Sequence, residues 1–417
     1  MTKQLCLSVS ALAVALSFGL VGVLQAQETK GPVTDEIGVV EIPEGAPIVI
    51  GGYWTLSGPD TALGLDQRRG VEVYFNQIGN ELLGHPIQLV AEDGTCNAEG
   101  GQTAATRLAS TTNIVAVLGP DCSSSAVPGA PILWRAGIVS VATSTTAPGL
   151  TAPDRSSEFD GFLRTVYSDA DAGLHDAEYF YNELECRTLA TIHDGSPYAA
   201  GLAVTAANRF RELGGEVVAE EAVTPTDVDM RPVLTGIAAK APCVLYFPIF
   251  VATAAQITRQ APDIPGLENT KIMGGSALMA PGFLEAAGDA AVGFEFTNPD
   301  TSTEVMSERY PEFVEDYTEM FGEPPIQAFH ANGYDGAQML VEGIKKVAVQ
   351  EGGTTYIGRK ALRDALFATK GLEGLSGTIE CNEHGQCAGF NFAVYRFTNA
   401  DPETFDIGTN PEKIFPE

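Results

Sequence analysis

The chain has 417 residues, with 54 acidic against 24 basic side chains and a formal net charge of −30. A surface this acidic repels phosphate backbones and anionic headgroups, which excludes nucleic acid and anionic lipid as partners and fits solubility in a salty or otherwise demanding medium. The length exceeds what a single hydrophobic core usually supports, so two domains are expected.

The chain opens on "MTKQLCLSVSALAVALSFGLVGVLQAQ", which holds one Lys, an apolar run from Leu5 to Leu24, and Leu24-Gln25-Ala26 before a cleavage point. This reads as a signal peptide over residues 1–26, with the mature chain starting at Gln27 and an N-terminal extension over 27–45. A membrane anchor is the alternative, disfavoured by Ser8, Ser10 and Ser17 within the run and by the missing basic flank. No Cys stands directly after the small residues at the cleavage point, so no lipid anchor is indicated. The expectation is an exported, soluble protein with no stable membrane insertion.

From Ala46 the pattern alternates. "PIVIGGYW" reads as a strand, "TALGLDQRRGVEVYFNQIGN" as a loop running into a helix, "PIQLVAED" as a strand, "NAEGGQTAATRLAST" as a helix and "IVAVLGP" as a strand. "SSAVPGAPILWRAG" reads as a helix broken by Pro128 and Pro131, and "IVSVAT" as a further strand. After "FLRTVYSDADAG" the same grammar restarts with helix "LHDAEYFYNELE", strand "TLATIHD", helix "YAAGLAVTAANRFRELG" and strand "EVVAEEAV". Helix "MRPVLTGIAAK", strand "CVLYFPIF", helix "ATAAQITRQAP" and strand "KIMGGS" complete it. Short apolar strands alternating with amphipathic helices make βαβ units, and two series predict two doubly wound parallel-sheet lobes of α/β class.

Six cysteines follow the leader: Cys96, Cys122, Cys186, Cys243, Cys381 and Cys387. An even number in an exported chain reads as three disulfides. "CNEHGQC" also offers a zinc knuckle through Cys381, His384 and Cys387, but a fourth ligand is missing and the compartment is oxidising, so no metal is expected. With "GTIE" before it and "GFNFAVYRF" after it, the segment looks like a hairpin with stapled strand ends. The other four cysteines cannot be paired without the fold.

In an open parallel sheet the ligand crevice lies at the carboxyl ends of the strands. Those ends carry "GPDCSSSAVP", "TSTTAPGLT", "HDGSPYAAG" and "FPIFVATAA". None is a phosphate-gripping loop of the G-x-G-x-x-G or G-x-x-x-x-G-K type, so no nucleotide cofactor is indicated. Serines and threonines at helix starts offer hydroxyls and open backbone amides, a neutral socket suited to a carboxylate.

The runs "LSGPDTALGLDQRRGVEVYFNQIGNELLGHPIQLVAEDGTCN", "LGPDCSSSAVPGAPIL", "TAPGLT", "HDGSPYAAGLA" and "YDGAQMLVEGIKKV" resemble, in order and over nearly the whole mature chain, the leucine/isoleucine/valine-binding family of periplasmic solute-binding proteins. The resemblance implies a type I clamshell of two lobes joined by three hinge strands. Its work would be to deliver a small carboxylate or amino acid to the permease subunits of an ATP-binding-cassette importer in the periplasm, as a monomer. Hinge crossings are then expected at residues 164–168, 296–299 and 391–393. They divide the chain into lobe 1 (46–166 plus 297–391) and lobe 2 (167–296 plus 392–417). The resemblance, with a doubly wound order, also implies the pairs Cys96–Cys122 and Cys186–Cys243 beside Cys381–Cys387.

Carried over position by position, the resemblance puts Ser123 and its amide, Ser144 and Thr146 on the ligand's carboxylate, with Cys122 in the same turn. Tyr198 would close from lobe 2, Phe250 stands where the family has a tyrosine, and Phe329 falls on an apolar contact. Trp54, Leu63 and Asp121 are inferred to line the pocket from their strand-end neighbourhood. The family's amino-acid binders carry an acidic residue after the "MGG"-like turn to pair with the ligand's ammonium; here "IMGGSAL" supplies Ser276. An unpaired enclosed ammonium would cost several kcal/mol. Either Asp121 or another acid substitutes, or the ligand lacks an α-amino group.

A sensor module feeding a signalling receptor would share the same cleft and stays open. An enzyme is the remote alternative: no G-x-S-x-G or H-E-x-x-H occurs, and His193 and Asp194 are adjacent on a strand, so they point to opposite faces. The protein is expected not to be an enzyme.

Overall fold

The computed structural model describes residues 27–389 and 391–416; the signal peptide expected over 1–26 lies outside the described residues. No helix among the described residues is long and apolar enough to cross a membrane.

Two sheets organise the chain. The first runs Glu81–Leu82, His85–Asp93, Ile48–Trp54, Ile114–Leu118, Ser140–Ala142 and Phe162–Arg164 in spatial order, parallel except for the short first strand. The second runs Glu216–Ala222, Thr188–His193, Val244–Phe247, Lys271–Gly274 and Glu295–Pro299 in parallel. Phe392–Arg396 and Glu412–Phe415 then extend it antiparallel. In each parallel series the chain order reverses beside the first long strand, so each sheet has a switch point where the crevice opens. The chain passes from the first sheet to the second after Arg164, returns after Pro299, and crosses again before Phe392. Separate apolar clusters fill the two lobes, one around Phe180, Tyr246 and Phe296, the other around Ile50, Leu118 and Leu340.

The segment read as an N-terminal extension is folded onto the first lobe. Val39–Ile42 pairs antiparallel with Thr354–Gly358, more than 300 residues later.

Several local expectations are corrected. The helix starts at Thr61 rather than after a loop and runs to Gln77. Its glycines carry no helix propensity, but Gly64 lies against the Thr55 backbone, where a Cβ would stand 2.3 Å from the carbonyl oxygen. Tertiary approach therefore overrides propensity. Ser123–Arg135 is one unbroken helix despite Pro128 and Pro131. Its packing on Ala98–Ala109, where a Cβ on Gly101 would sit 2.5 Å from Ser125 Cα, holds it together through two missing N–H groups. Asp169–Glu178 begins several residues before the expected helix and continues as a wide π turn, Tyr179–Glu183.

The segment around Cys381 turns back on itself as a short hairpin, with Glu380 N–H donating to Cys387 O at 3.0 Å and Asn382 N–H to Gln386 O at 2.8 Å, but its flanking strands do not extend it: Thr378–Ile379 pairs with Leu372–Glu373, and Phe392–Arg396 belongs to the second sheet. Residues 385–387 also bond to Arg164, with Arg164 N–H donating to Gly385 O at 2.9 Å and Cys387 N–H to Arg164 O at 3.1 Å. The disulfides are Cys96–Cys122, Cys186–Cys243 and Cys381–Cys387.

Candidate functional site

The strand Ile114–Leu118 leaves the first sheet at its carboxyl end and turns at once into the helix Ser123–Arg135. Gly119 makes that turn at φ +86°, and a Cβ there would lie 2.4 Å from Tyr53 O. Only glycine fits. Asp121, 1% exposed, organises the start of the helix: one carboxylate oxygen accepts Thr55 N–H at 2.8 Å and the other Cys122 N–H at 2.9 Å. Burial pushes its pKa up, and those two backbone donors oppose the shift.

The helix thus starts with Ser123 and Ser124, whose amides are first-turn donors that helix geometry leaves unpaired. Ser123 Oγ accepts Ala147 N–H at 3.1 Å, joining this turn to the loop after Ser140–Ala142. In that loop Ser144 Oγ donates to Asp121 O at 2.8 Å and accepts from Gln67 Nε2 at 2.8 Å. Thr146 Oγ1 donates to Asp169 at 2.8 Å. The hydroxyl protons of Ser144 and Thr146 are therefore already committed. What remains for an anion is the Ser123 hydroxyl proton and open backbone amides, including that of Thr146, which has no acceptor among the described residues.

The opposite wall comes from the second lobe. Tyr198 lies in the first turn of Pro197–Glu212, a helix capped by Ser196, whose Oγ accepts Ala199 N–H at 3.1 Å. Its ring stands 5.4 Å from that of Phe250, the residue preceding the helix Val251–Gln260. Ser276 follows the strand Lys271–Gly274; its Oγ accepts from Tyr167 OH at 3.2 Å and lies 3.5 Å from Tyr198 OH. Gln327 Nε2 reaches across to Ser276 O at 3.3 Å. Burial raises the pKa of both tyrosines far above their usual range, with Asp169 adding to it, so both keep their protons.

Asp169 is the notable charge here. It is fully buried, its second carboxylate oxygen has no partner, and burial raises its pKa to about 7, which the Thr146 hydroxyl opposes.

Between the two walls lies one cavity, lined by Leu63, Asp121, Cys122, Ser123, Ser144, Thr146, Tyr198, Phe250, Ser276, Ala277 and Phe329. All the expected pocket residues meet there except Trp54. The indole of Trp54 is wholly buried in the core of the first lobe and donates to Thr143 Oγ1 at 3.4 Å. Side chains alternate along a strand, and Trp54 shares the face of Ile50 and Gly52. The missing side chain of Gly52 makes room for the ring, since a Cβ there would stand 2.2 Å from it. Ala277 joins the lining without having been expected there, because an alanine in a turn gives no signal in the sequence. The bonds from Gln327 to Ser276 and from Thr146 to Asp169 join the two walls directly, so the lobes stand closed on each other.

His193 and Asp194 serve the turn before Pro197–Glu212, where His193 Nδ1 accepts Gly195 N–H at 3.1 Å and Asp194 accepts Ser196 N–H at 2.9 Å. The Cys381 and Cys387 sulfurs, weighed as zinc ligands, are bonded to each other.

Comparison with known proteins adds a lineage. The family described as periplasmic binding protein matches residues 47–401. The Leu/Ile/Val-binding protein BraC3 of Rhizobium johnstonii is 26% identical over 354 residues, covering 84% of this chain and 92% of that protein. Among solved structures, a leucine-binding protein of Thermotoga maritima has a TM-score of 0.75 and 25% identity, covering 85% of this chain and 96% of its own. A solute-binding protein of an R. palustris importer in complex with benzoate shares the fold, with a TM-score of 0.71, 20% identity and coverage of 88% and 95%.

Proposed function

The chain belongs to the periplasmic binding protein family, and from that premise we propose that it captures a small carboxylate without an α-amino group between its lobes and hands it to the permease of an ATP-binding-cassette importer. The observation that carries the reading is the state of the acids. Asp121, the one carboxylate on the cavity wall, already accepts a backbone N–H on each oxygen, and Ser276 is neutral. An ammonium enclosed there would find no carboxylate dedicated to it, only one whose two oxygens are already oriented by the Thr55 and Cys122 amides, and an ammonium left unpaired would cost several kcal/mol. The carboxylate would sit on the Ser123 hydroxyl and on the amides of Ser123, Ser124 and Thr146. Phe250, Leu63 and Phe329 would pack its apolar part. Export to the periplasm through removal of residues 1–26, and the division into lobes at the three crossings, belong to the same proposal.

One observation favours a second reading. Asp169 stands directly behind Thr146 with an unpartnered oxygen, and an ammonium brought near it would draw off its proton. The ligand would then be an amino acid, as the names of the Leu/Ile/Val-binding relatives state for those proteins.

A thermal-shift screen of amino acids against aliphatic and aromatic carboxylates separates the two, since binding to the folded state raises Tm. Stabilisation by carboxylates alone supports the first reading. Stabilisation by leucine that disappears in Asp169→Asn supports the second.

A further inference from the structure

Asp60 precedes the helix Thr61–Gln77, at the position from which an aspartate ordinarily caps its own helix, yet its side chain makes no such bond. The carboxylate turns to the other lobe instead and accepts Val251 N–H at 3.3 Å. Val251 opens the helix Val251–Gln260, and the residue before it, Phe250, supplies no side-chain cap. The first lobe thus provides the cap that the second lobe's helix lacks.

We propose that Asp60 is the closure residue of the clamshell: its carboxylate crosses the mouth of the cleft, seats on the open start of the helix Val251–Gln260 and holds Phe250 over the ligand cavity. The inference rests on the solute-capture reading for its purpose but not for its geometry. Three structural features support it. The contact joins residues 191 apart in sequence and from different lobes. Phe250 lines both the ligand cavity and an outer vestibule of about 620 Å³, and Asp60 lines that vestibule, so Phe250 separates the two spaces and Asp60 stands on its outer side. The open start of a helix offsets part of the cost of bringing a carboxylate out of water, and this seat exists for Asp60 only when the lobes meet.

Closure also changes the environment of the carboxylate. Asp60 is half-buried between the lobes, and this burial raises its pKa from 3.8 to about 6; the Val251 amide opposes the shift, and the charged groups acting on it, Asp121 and Asp194, are both acidic and add to it. In the open state the group returns to water and to its ordinary value. The closed form therefore binds more protons than the open form between those two values, so acidification favours closure and ionisation above about pH 6 opposes it. From pH 7.5 to pH 5 the closed-to-open ratio gains up to roughly tenfold from this one group, given values of about 6 closed and 3.8 open.

The test reads lobe separation directly. All six described cysteines are paired in disulfides, so spin labels placed at Gln102→Cys in the first lobe and Val204→Cys in the second, both exposed positions, report one distance. The distance distribution is measured at pH 7.5 and pH 5, with and without leucine or 4-methylpentanoate as probes, in the labelled parent and in Asp60→Asn. The expected result is a shift to the short distance at pH 5 in the parent and a clearly smaller shift in Asp60→Asn, since Asp169, bonded to Thr146 of the first lobe, also takes up a proton in this range. A parent that does not shift, or an Asp60→Asn variant that shifts as the parent does, overturns the proposal. Failure of both probes to change the distance refutes solute capture of this class instead, and leaves the pH comparison standing.

Discussion

Replacing Asp121 by asparagine separates a fold-holding carboxylate from a ligand-binding one. Asparagine keeps the size and one acceptor, but its amide nitrogen must face either Thr55 N–H or Cys122 N–H, donor against donor, in a site 1% exposed. Losing a bond to a charged group costs roughly 1.5–3 kcal/mol, and leaving a buried N–H unpaired costs about 1–3 kcal/mol. Against these stands the relief of no longer burying a charge, which the raised pKa of Asp121 reports. Asp121→Asn is therefore expected to lose about 1–3 kcal/mol of stability in urea unfolding. The ratio of leucine to 4-methylpentanoate affinity should not change, because both oxygens of Asp121 are oriented by the backbone of Thr55 and Cys122 rather than by a ligand. Unaltered stability together with a selective loss of leucine binding would refute this reasoning and make Asp121 the ammonium partner.

Gly52→Ala should destabilise the first lobe by roughly 1–3 kcal/mol, since its Cβ would drive into the Trp54 ring, and thermal unfolding checks it. Breaking Cys96–Cys122, which spans 26 residues, should cost roughly 3 kcal/mol in the chain-entropy model and loosen the turn before Ser123; the Cys96→Ser/Cys122→Ser double variant should unfold at lower urea. Asp176 is buried, receives Tyr246 OH at 2.5 Å on one oxygen and no bond on the other, and burial raises its pKa to about 7. The folded state thus holds an extra proton between 3.8 and about 7, so this group's cost to stability is greatest above pH 7 and fades on acidification. Asp176→Asn should accordingly be more stable than the parent by about 1–3 kcal/mol at pH 7.5, with the gap closing towards about pH 4. A gap that stayed constant across that range would show that the carboxyl does not titrate there.

Much of this site is readable in the sequence because the α/β grammar fixes where ligands go: strand ends carry the functional turns, and "DCSSS", "TSTTAP" and "HDGSPY" all lie at strand ends. The pattern does not supply facing. Trp54 sits at a strand end as Asp121 does, but strand parity turns it into the core, and only the neighbouring Gly52 hints at the space it fills. Asp169 is not legible because nothing local marks a helix-start aspartate as buried; its partner, Thr146, lies 23 residues earlier on another element. Asp60 likewise reads as an ordinary helix cap, and its bond to Val251 exists only through closure of two lobes. The strand Val39–Ile42 is hidden for the same reason, its partner being Thr354–Gly358. Pro128 and Pro131 mislead in the opposite direction, since local propensity argues for a break that packing on Ala98–Ala109 prevents.

That the cavity takes a carboxylate and has no place for an α-ammonium is tested most directly by calorimetry on a matched pair, 4-methylpentanoate and leucine, which differ only by the amine. Tighter binding of 4-methylpentanoate is expected, by at least about tenfold, which corresponds to roughly 1.4 kcal/mol. Tighter binding of leucine would contradict it.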